Sequence, residues 1–303
     1  MIFRKNKRLK IKLEDLSQEP GLSWRGLWAG KKMRFATITS VKFMDVKTLV
    51  CTSLLGRKIY LIRLFPIKGT YKILDKLDTT YQGRKTETDL LDIDEHGNIF
   101  TCNCNAGSLS QYRIVDGKHL QHVRDMETGM QGFIHGVKVY SPDIICAAFI
   151  GGPMGIHFYD IHTMQQLLHV KTDIKAKDVC FTSSTQLAMV TMYGQVTSKK
   201  AEHYDSEIQV MNFDIKSKQY NLVQKKKFEG CHFDCIVFRN GHFYINEQFS
   251  GKILIVEPNK LEIINAISGF DFPHGLDIQN TTLAVSNYGS NSVDIIKMKS
   301  ALS

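Results

Sequence analysis

The chain has 303 residues, 43% of them hydrophobic, 23% charged and 10% aromatic, with 6 prolines and 22 glycines. These values exclude a wholly disordered, collagenous or low-complexity chain and leave two average domains or one large all-β domain. The formal charge is +9, but outside two short runs (4–12 and 225–227) the basic residues are dispersed, so weak attraction to polyanions is expected rather than a specific nucleic-acid site.

The first eight residues are basic with no apolar stretch behind them, which argues against a secretory signal. No apolar run approaches the roughly 18 residues of a membrane helix. Seven cysteines is an odd count that cannot complete a disulfide framework, so reduced thiols and a cytoplasmic setting are expected. In Leu9-Lys10-Ile11-Lys12-Leu13 apolar and basic residues alternate, which predicts a half-buried strand whose lysines protect an exposed edge. Residues 20–35 read as a linker, with Trp24 and Trp28 as core cover.

From residue 36 onward, short runs of Val, Ile, Phe, Tyr and Thr recur between turn signals such as Asp116-Gly117 and Asn240-Gly241, and helical periodicity is scarce. An internal repeat organises them. Thr39-Ser40-Val41-Lys42-Phe43 matches the runs 89–93, 135–139, 177–181, 234–238 and 274–278. The central apolar residues of these runs are spaced 50, 46, 42, 57 and 40 residues apart. That is the length of a four-stranded propeller blade. Each opening leads to a second strand (48–52, 99–103, 144–148, 186–192, 242–246, 282–286), then a glycine-bearing loop, then a third strand. Only 27 residues follow Leu276, enough for three strands, so the amino-terminal strand is expected to supply the fourth. The prediction is an all-β, six-bladed β-propeller, its ring closed by the amino-terminal strand pairing into the last blade. It forms a single domain over 1–303: closing strand and lead-in 1–19, linker 20–35, blades 36–303. The long fourth spacing marks an insertion, Gln195 to Ser206, which reads equally as a lid or as a tolerated surface excursion.

Phe272-Pro273-His274-Gly275-Leu276-Asp277-Ile278, continued by Leu283-Ala284-Val285-Ser286-Asn287-Tyr288-Gly289-Ser290-Asn291-Ser292-Val293, resembles a blade of the NHL-repeat and gluconolactonase type of propeller. The resemblance implies a cation held at the channel mouth by carboxylate and amide side chains. Here His stands where those enzymes favour Asn or Glu, so their chemistry does not carry over. A His-rich mouth is closer to that of propeller lyases.

Because blades are up-and-down meanders, the residue two before each apolar anchor lies at one mouth of the channel. Around the ring these are Thr39, Asp89, His135, Lys177, Asp234 and His274. Asp89, His135, Asp234 and His274 are candidate ligands for one divalent metal ion. His135 and His274 are candidate general bases, and Lys177 a candidate for stabilising an anion. Asn103, Asn246, Glu247, Asn287 and Tyr288, on loops of the same face, together with Thr39, are candidate contacts for a small polar ligand such as a sugar or carboxylate. A ring of Asp, His and Lys also suits a hydrogen-bonded plug, and loop amides suit tight turns. Cys51, Cys102 and Cys146 recur five residues before the loop glycine and read as core. The expectation is a propeller that binds a small polar molecule in its funnel, with a metal-assisted hydrolase or lyase as its enzymatic form. The alternative is a non-catalytic scaffold for a protein partner.

Overall fold

The computed structural model describes residues 8–13, 37–193 and 205–298. The segments 14–36 and 194–204, which hold Trp24, Trp28 and most of the blade-four insertion, lie outside the described residues. Asp205 and Ser206, read from sequence as insertion, are instead the first residues of a strand.

The described residues form six four-stranded antiparallel sheets and one small hairpin. Blade one is β2 (Ile38–Asp45), β3 (Thr48–Ser53), β4 (Lys58–Phe65) and β5 (Thr70–Asp78). The hairpin β6 (Thr80–Tyr81) and β7 (Arg84–Lys85), absent from the sequence reading, leads into blade two. That blade is β8 (Thr88–Ile93), β9 (Ile99–Asn103), β10 (Ser108–Val115) and β11 (His119–Glu127). Blade three is β12 (Ile134–Ser141), β13 (Ile144–Phe149), β14 (Gly155–Asp160) and β15 (Gln166–Lys171). Blade four is β16 (Lys175–Ser183), β17 (Gln186–Tyr193), β18 (Asp205–Asp214) and β19 (Gln219–Phe228). Blade five is β20 (Phe233–Arg239), β21 (His242–Glu247), β22 (Lys252–Glu257) and β23 (Glu262–Ser268). Blade six has β24 (Pro273–Gln279), β25 (Thr282–Asn287) and β26 (Ser292–Lys297), and β1 (Leu9–Lys12) completes it. The expected closure is therefore present: Leu9 pairs with Ile295 and Ile11 with Val293, antiparallel. Ile11 is fully buried while Lys10 and Lys12 face outward, as the alternation requires.

The first strands of successive blades touch one another around the ring, so they line the central channel. Both faces of each blade are covered by neighbouring blades. The inner strands are therefore buried on both faces: all six residues of β3 and all five of β9 are buried, their threonines, serine and asparagine included. Apolar clusters fill the blade interfaces, for example Val190, Ile208, Phe233 and Ile245 between blades four and five. The three repeated cysteines are buried core, as expected, and burial pushes the thiols of Cys51 and Cys146 up.

Lower in the channel Lys42, Asp92, Lys138, Asp178 and Asp277 interlock. Asp277 accepts the Phe43 amide of blade one at 2.8 Å, Asp92 the Val139 amide of blade three at 2.9 Å, and Asp178 the Ile236 amide of blade five at 3.1 Å. The Lys42 ammonium lies 3.5 Å from both Asp92 and Asp277, and that of Lys138 lies 3.6 Å from Asp178. Burial opposes the charge on both lysines, but these carboxylates outweigh it and raise their pKa values. The lower half of the channel is thus filled by ionic bonds between blades.

Candidate functional site

The six expected channel residues converge because each sits on a β-bulge. In blade one Ile38 pairs with Ser53 and Ser40 with Thr52, which leaves Thr39 as the extra residue. His135 and Lys177 are extra residues in the same way. In the other blades two residues face one: Asp89-Leu90 opposite Cys102, Asp234-Cys235 opposite Asn246, and His274-Gly275 opposite Ser286. A bulged residue leaves the pleat and is re-aimed. Six side chains thereby turn from the blade faces to the axis. The ring is not an open mouth, since these residues are only 0–3% exposed.

The two histidines are held alike. Nδ1–H of His135 donates to the Lys177 carbonyl at 2.9 Å, and Nδ1–H of His274 donates to the Thr39 carbonyl at 3.0 Å. The glycine that follows each histidine makes this possible. A Cβ on Gly136 would stand 2.7 Å from the Lys177 carbonyl, and one on Gly275 would stand 2.5 Å from that of Thr39. Only glycine lets the next blade approach closely enough for its carbonyl to accept the imidazole proton. With Nδ1 committed, each Nε2 points inward. The rings stack across the axis, with centroids 5.3 Å apart and planes inclined by 23°.

Both Nε2 atoms meet the same two carboxylates. His135 Nε2 lies 3.5 Å from Asp89 Oδ2 and 3.2 Å from Asp234 Oδ1, and His274 Nε2 lies 3.4 Å from Asp89 Oδ1 and 3.8 Å from Asp234 Oδ2. The arrangement approximates a two-fold: blades two and five give Asp, blades three and six give His-Gly. Blades one and four break the symmetry with Thr39 and Lys177. The Lys177 ammonium pairs with Asp234 and donates to His135 Nε2 at 2.9 Å. Burial would raise the Asp234 carboxyl, but Lys177, with His232 and His274 nearby, holds it well below the usual carboxylate range. Two carboxylates and one ammonium leave the enclosed ring one positive charge short of neutrality when both imidazoles are neutral.

Asp89, His135 and His274 each offer one ligand atom, all within 4.8 Å of one another. A tetrahedral shell with metal bonds near 2.05 Å separates its ligands by roughly 3.3 Å. The His–Asp89 contacts of 3.4 and 3.5 Å are close to that spacing. These residues could hold a divalent ion, with carbonyl-anchored imidazoles of the kind that orient metal ligands.

The other predicted contacts have different surroundings. Thr39 donates to the Asp89 carbonyl at 3.0 Å. Asn246 accepts the amides of Asp234 and Cys235 and donates to the Pro273 carbonyl at 2.7 Å, so it fastens the Asp234 bulge. Glu247 accepts the amides of His232, Phe249 and Ser250, which shapes its own loop. Asn103 donates to Ser108 and Ser110, and Asn287 donates to Asp294 and accepts the Asp271 amide. Apart from Asn103 Oδ1, which is buried with no hydrogen-bond partner among the described residues, these polar atoms are engaged within and between blades. Tyr288 does reach the ring, stacked on His274 at 5.6 Å. Sequence reasoning missed His232, whose Nε2 is 3.5 Å from Asp234 Oδ1. Its signal was its place two residues upstream of a ring position.

No family model matches the chain, and no curated protein matches it in sequence. Solved structures match its fold. Catalytically inactive virginiamycin B lyase from Staphylococcus aureus with quinupristin is 10% identical, with a TM-score of 0.63 over 97% of this chain and 99% of that one. The Cps50 (Swd1) β-propeller domain of Myceliophteria thermophila is 12% identical, with a TM-score of 0.57 over 88% and 99%. The WD40 propeller domain of Doa1 is 10% identical, with a TM-score of 0.56 over 88% and 94%. At these identities the likeness establishes the architecture, a six-bladed β-propeller, and leaves chemistry to the site itself.

Proposed function

We propose that Asp89, His135 and His274 bind one divalent metal ion and that a small polar ligand is bound beside it, in a metal-assisted lyase or hydrolase. The observation that carries this reading is the pair of imidazoles locked through Nδ1 with both Nε2 atoms aimed at one carboxylate. A bound divalent ion would more than offset the single negative charge that the ring carries with neutral imidazoles, and would act as a Lewis acid on a ligand oxygen. Asp234 holds Lys177 in place, and Lys177 stabilises an anion that forms next to it. The Lys177 ammonium lies 2.9 Å from His135 Nε2, so an ion ligated by that atom would have to displace it, with Asp234 left to hold it.

Metal analysis of the purified protein tests the reading. About one equivalent of a divalent transition metal is expected, reduced at least tenfold in the His135→Ala, His274→Ala double variant. Lys177→Met, which removes the competing cation, should bind added Zn²⁺ or Mn²⁺ more tightly than the parent chain. A chain that takes up no metal in either form overturns the proposal. The scaffold reading has one observation in its favour: the ring is closed to water and already contains a cation. It gains support if stability is indifferent to chelators and to added ions.

A further inference from the structure

The turns that leave the first and third strands of each blade lie on the face opposite the polar ring. In blade one both are tipped by an apolar residue followed by lysine: Val46-Lys47 between β2 and β3, and Ile67-Lys68 between β4 and β5. The Leu64 amide donates to the Lys47 carbonyl at 2.6 Å, so the two tips stand side by side. Gly69 N–H donates to the Pro66 carbonyl at 3.3 Å and closes a tight turn over the buried Pro66. That turn lifts Ile67 clear of the protein. Ile67 is 91% exposed, against 50% for the next large apolar side chain among the described residues, and Val46 and Phe65 beside it are exposed too. A Cβ added at Gly69 would meet nothing within 4 Å, as expected of a projecting tip. Single exposed apolar side chains are ordinary. At the inner turn, however, other blades carry polar tips, as in Ser184-Thr185, Asn240-Gly241 and Asn280-Thr281.

The charge around the two tips is unbalanced. Residues 37–87 hold ten Lys and Arg against four Asp and Glu, whereas residues 88–133 hold three against seven. The four acids are engaged. Asp45 accepts the Lys47 amide and the Thr48 hydroxyl of its own turn, and Asp75 accepts the Leu120 amide of blade two. Asp78 pairs with Lys58 and Lys85, and Glu87 with Arg57. Lys47, Arg63, Lys68 and Lys72, around the tips, have no ion pair among the described residues. Arg63 and Lys72 stand directly opposite each other across β4 and β5. Like charges so placed repel, and an anion brought near them relieves the repulsion.

We infer that this rim of blade one docks on an anionic lipid bilayer, with Phe65 and Ile67 entering the headgroup–acyl boundary and Lys47, Lys68 and Lys72 meeting the headgroup charges. Apolar tips beneath a collar of basic side chains match the order of chemistry met on entering such a surface. Tips that project, rather than line a groove, suit a deformable lipid surface better than a rigid protein one. The acidic blade two keeps its side of the face away from the lipid, so the contact is confined to one edge of the ring. The inference is independent of the metal reading.

Flotation with phosphatidylcholine vesicles, and with vesicles containing about 30% phosphatidylserine, tests it at about 150 mM salt. The anionic vesicles should bind the chain at least about tenfold more tightly. The Phe65→Ser, Ile67→Ser double variant should lose at least about tenfold of that binding. The Lys47→Gln, Lys68→Gln, Lys72→Gln triple variant should lose about as much. All five side chains are exposed, so both variants should fold, and their melting temperatures verify that. Ile67→Trp should add fluorescence that brominated acyl chains quench, beyond the signal of Trp24 and Trp28 in the parent chain. Equal binding to both vesicles, binding to neither, no effect of the apolar double variant, or no added quenching overturns the inference. Binding of soluble polyphosphate without binding of vesicles also overturns it, and leaves a plain basic patch.

Discussion

His157 shows how a single side chain can tie stability to pH in this fold. Its Nε2–H donates to the Pro153 carbonyl at 2.7 Å, and its ring stacks on His169 at 3.8 Å, whose Nε2–H donates to the Met154 carbonyl at 3.1 Å. Together the two imidazoles pin the Gly151–Met154 loop. Burial, with some repulsion from His169, lowers the His157 pKa to about 4, against an ordinary value near 6.5. The native state therefore refuses a proton that the unfolded state accepts. Its contribution is complete above about pH 6.5 and is lost as pH falls toward about 4, up to roughly 3 kcal/mol. Urea unfolding from pH 7 to pH 4.5 should show this loss, and His157→Gln, which keeps a donor, should flatten it. Parallel pH profiles would refute the assignment. The glycines and proline of Gly151-Gly152-Pro153-Met154-Gly155 suit a turn, but nothing in the sequence placed two histidines of later strands against it.

Among the elements, β1 decides whether the ring is closed. It is four residues long, and its attachment rests on the ladder to β26 and on Ile11, packed with Ile38, Val41, Val293 and Ile295. Deleting a buried Ile side chain to Ala costs about 2–5 kcal/mol through lost transfer energy and the cavity left behind. Ile11→Ala should therefore lower the unfolding free energy measured by urea titration by that amount, and the freed edge of β26 should increase self-association at high concentration. A shift below about 0.5 kcal/mol would mean that β1 does not hold the ring shut. This element was legible in the sequence because alternation over five residues and the shortfall of one strand in the last blade point to the same pairing. The bulges of the first strands were not legible. A bulge is a difference of register between two strands, and no local pattern in either strand records it.

At the scale of the whole molecule, the ring concentrates ionisable groups where blades meet and links them to global stability. A ligand that binds only the folded state stabilises it, by about 2.7 kcal/mol at 100 times its dissociation constant. On the metal reading, saturating Mn²⁺ or Zn²⁺ should raise the unfolding free energy by that order, and chelation should reverse the gain. The His135→Ala, His274→Ala variant should show none. An equal gain in that variant would place the ion elsewhere, for example on surface histidines.

Repeat length, strand patterning and the missing fourth strand of the last blade determined the six-bladed architecture and its closure. The spacing of the repeat also named the six side chains that share one level of the channel. Those properties are periodic, and a repeat writes its period into the chain. Tertiary structure decided which atoms of those side chains meet. The bulges, the close approach at Gly136 and Gly275, and the Lys177–Asp234 pair join residues 42 to 235 positions apart. It also decided that Asn246, Glu247 and Asn287 pair backbone groups of the framework. Backbone groups exposed by bulges and loops must be paired once buried, and which side chain pairs them depends on distances that exist only in the closed ring.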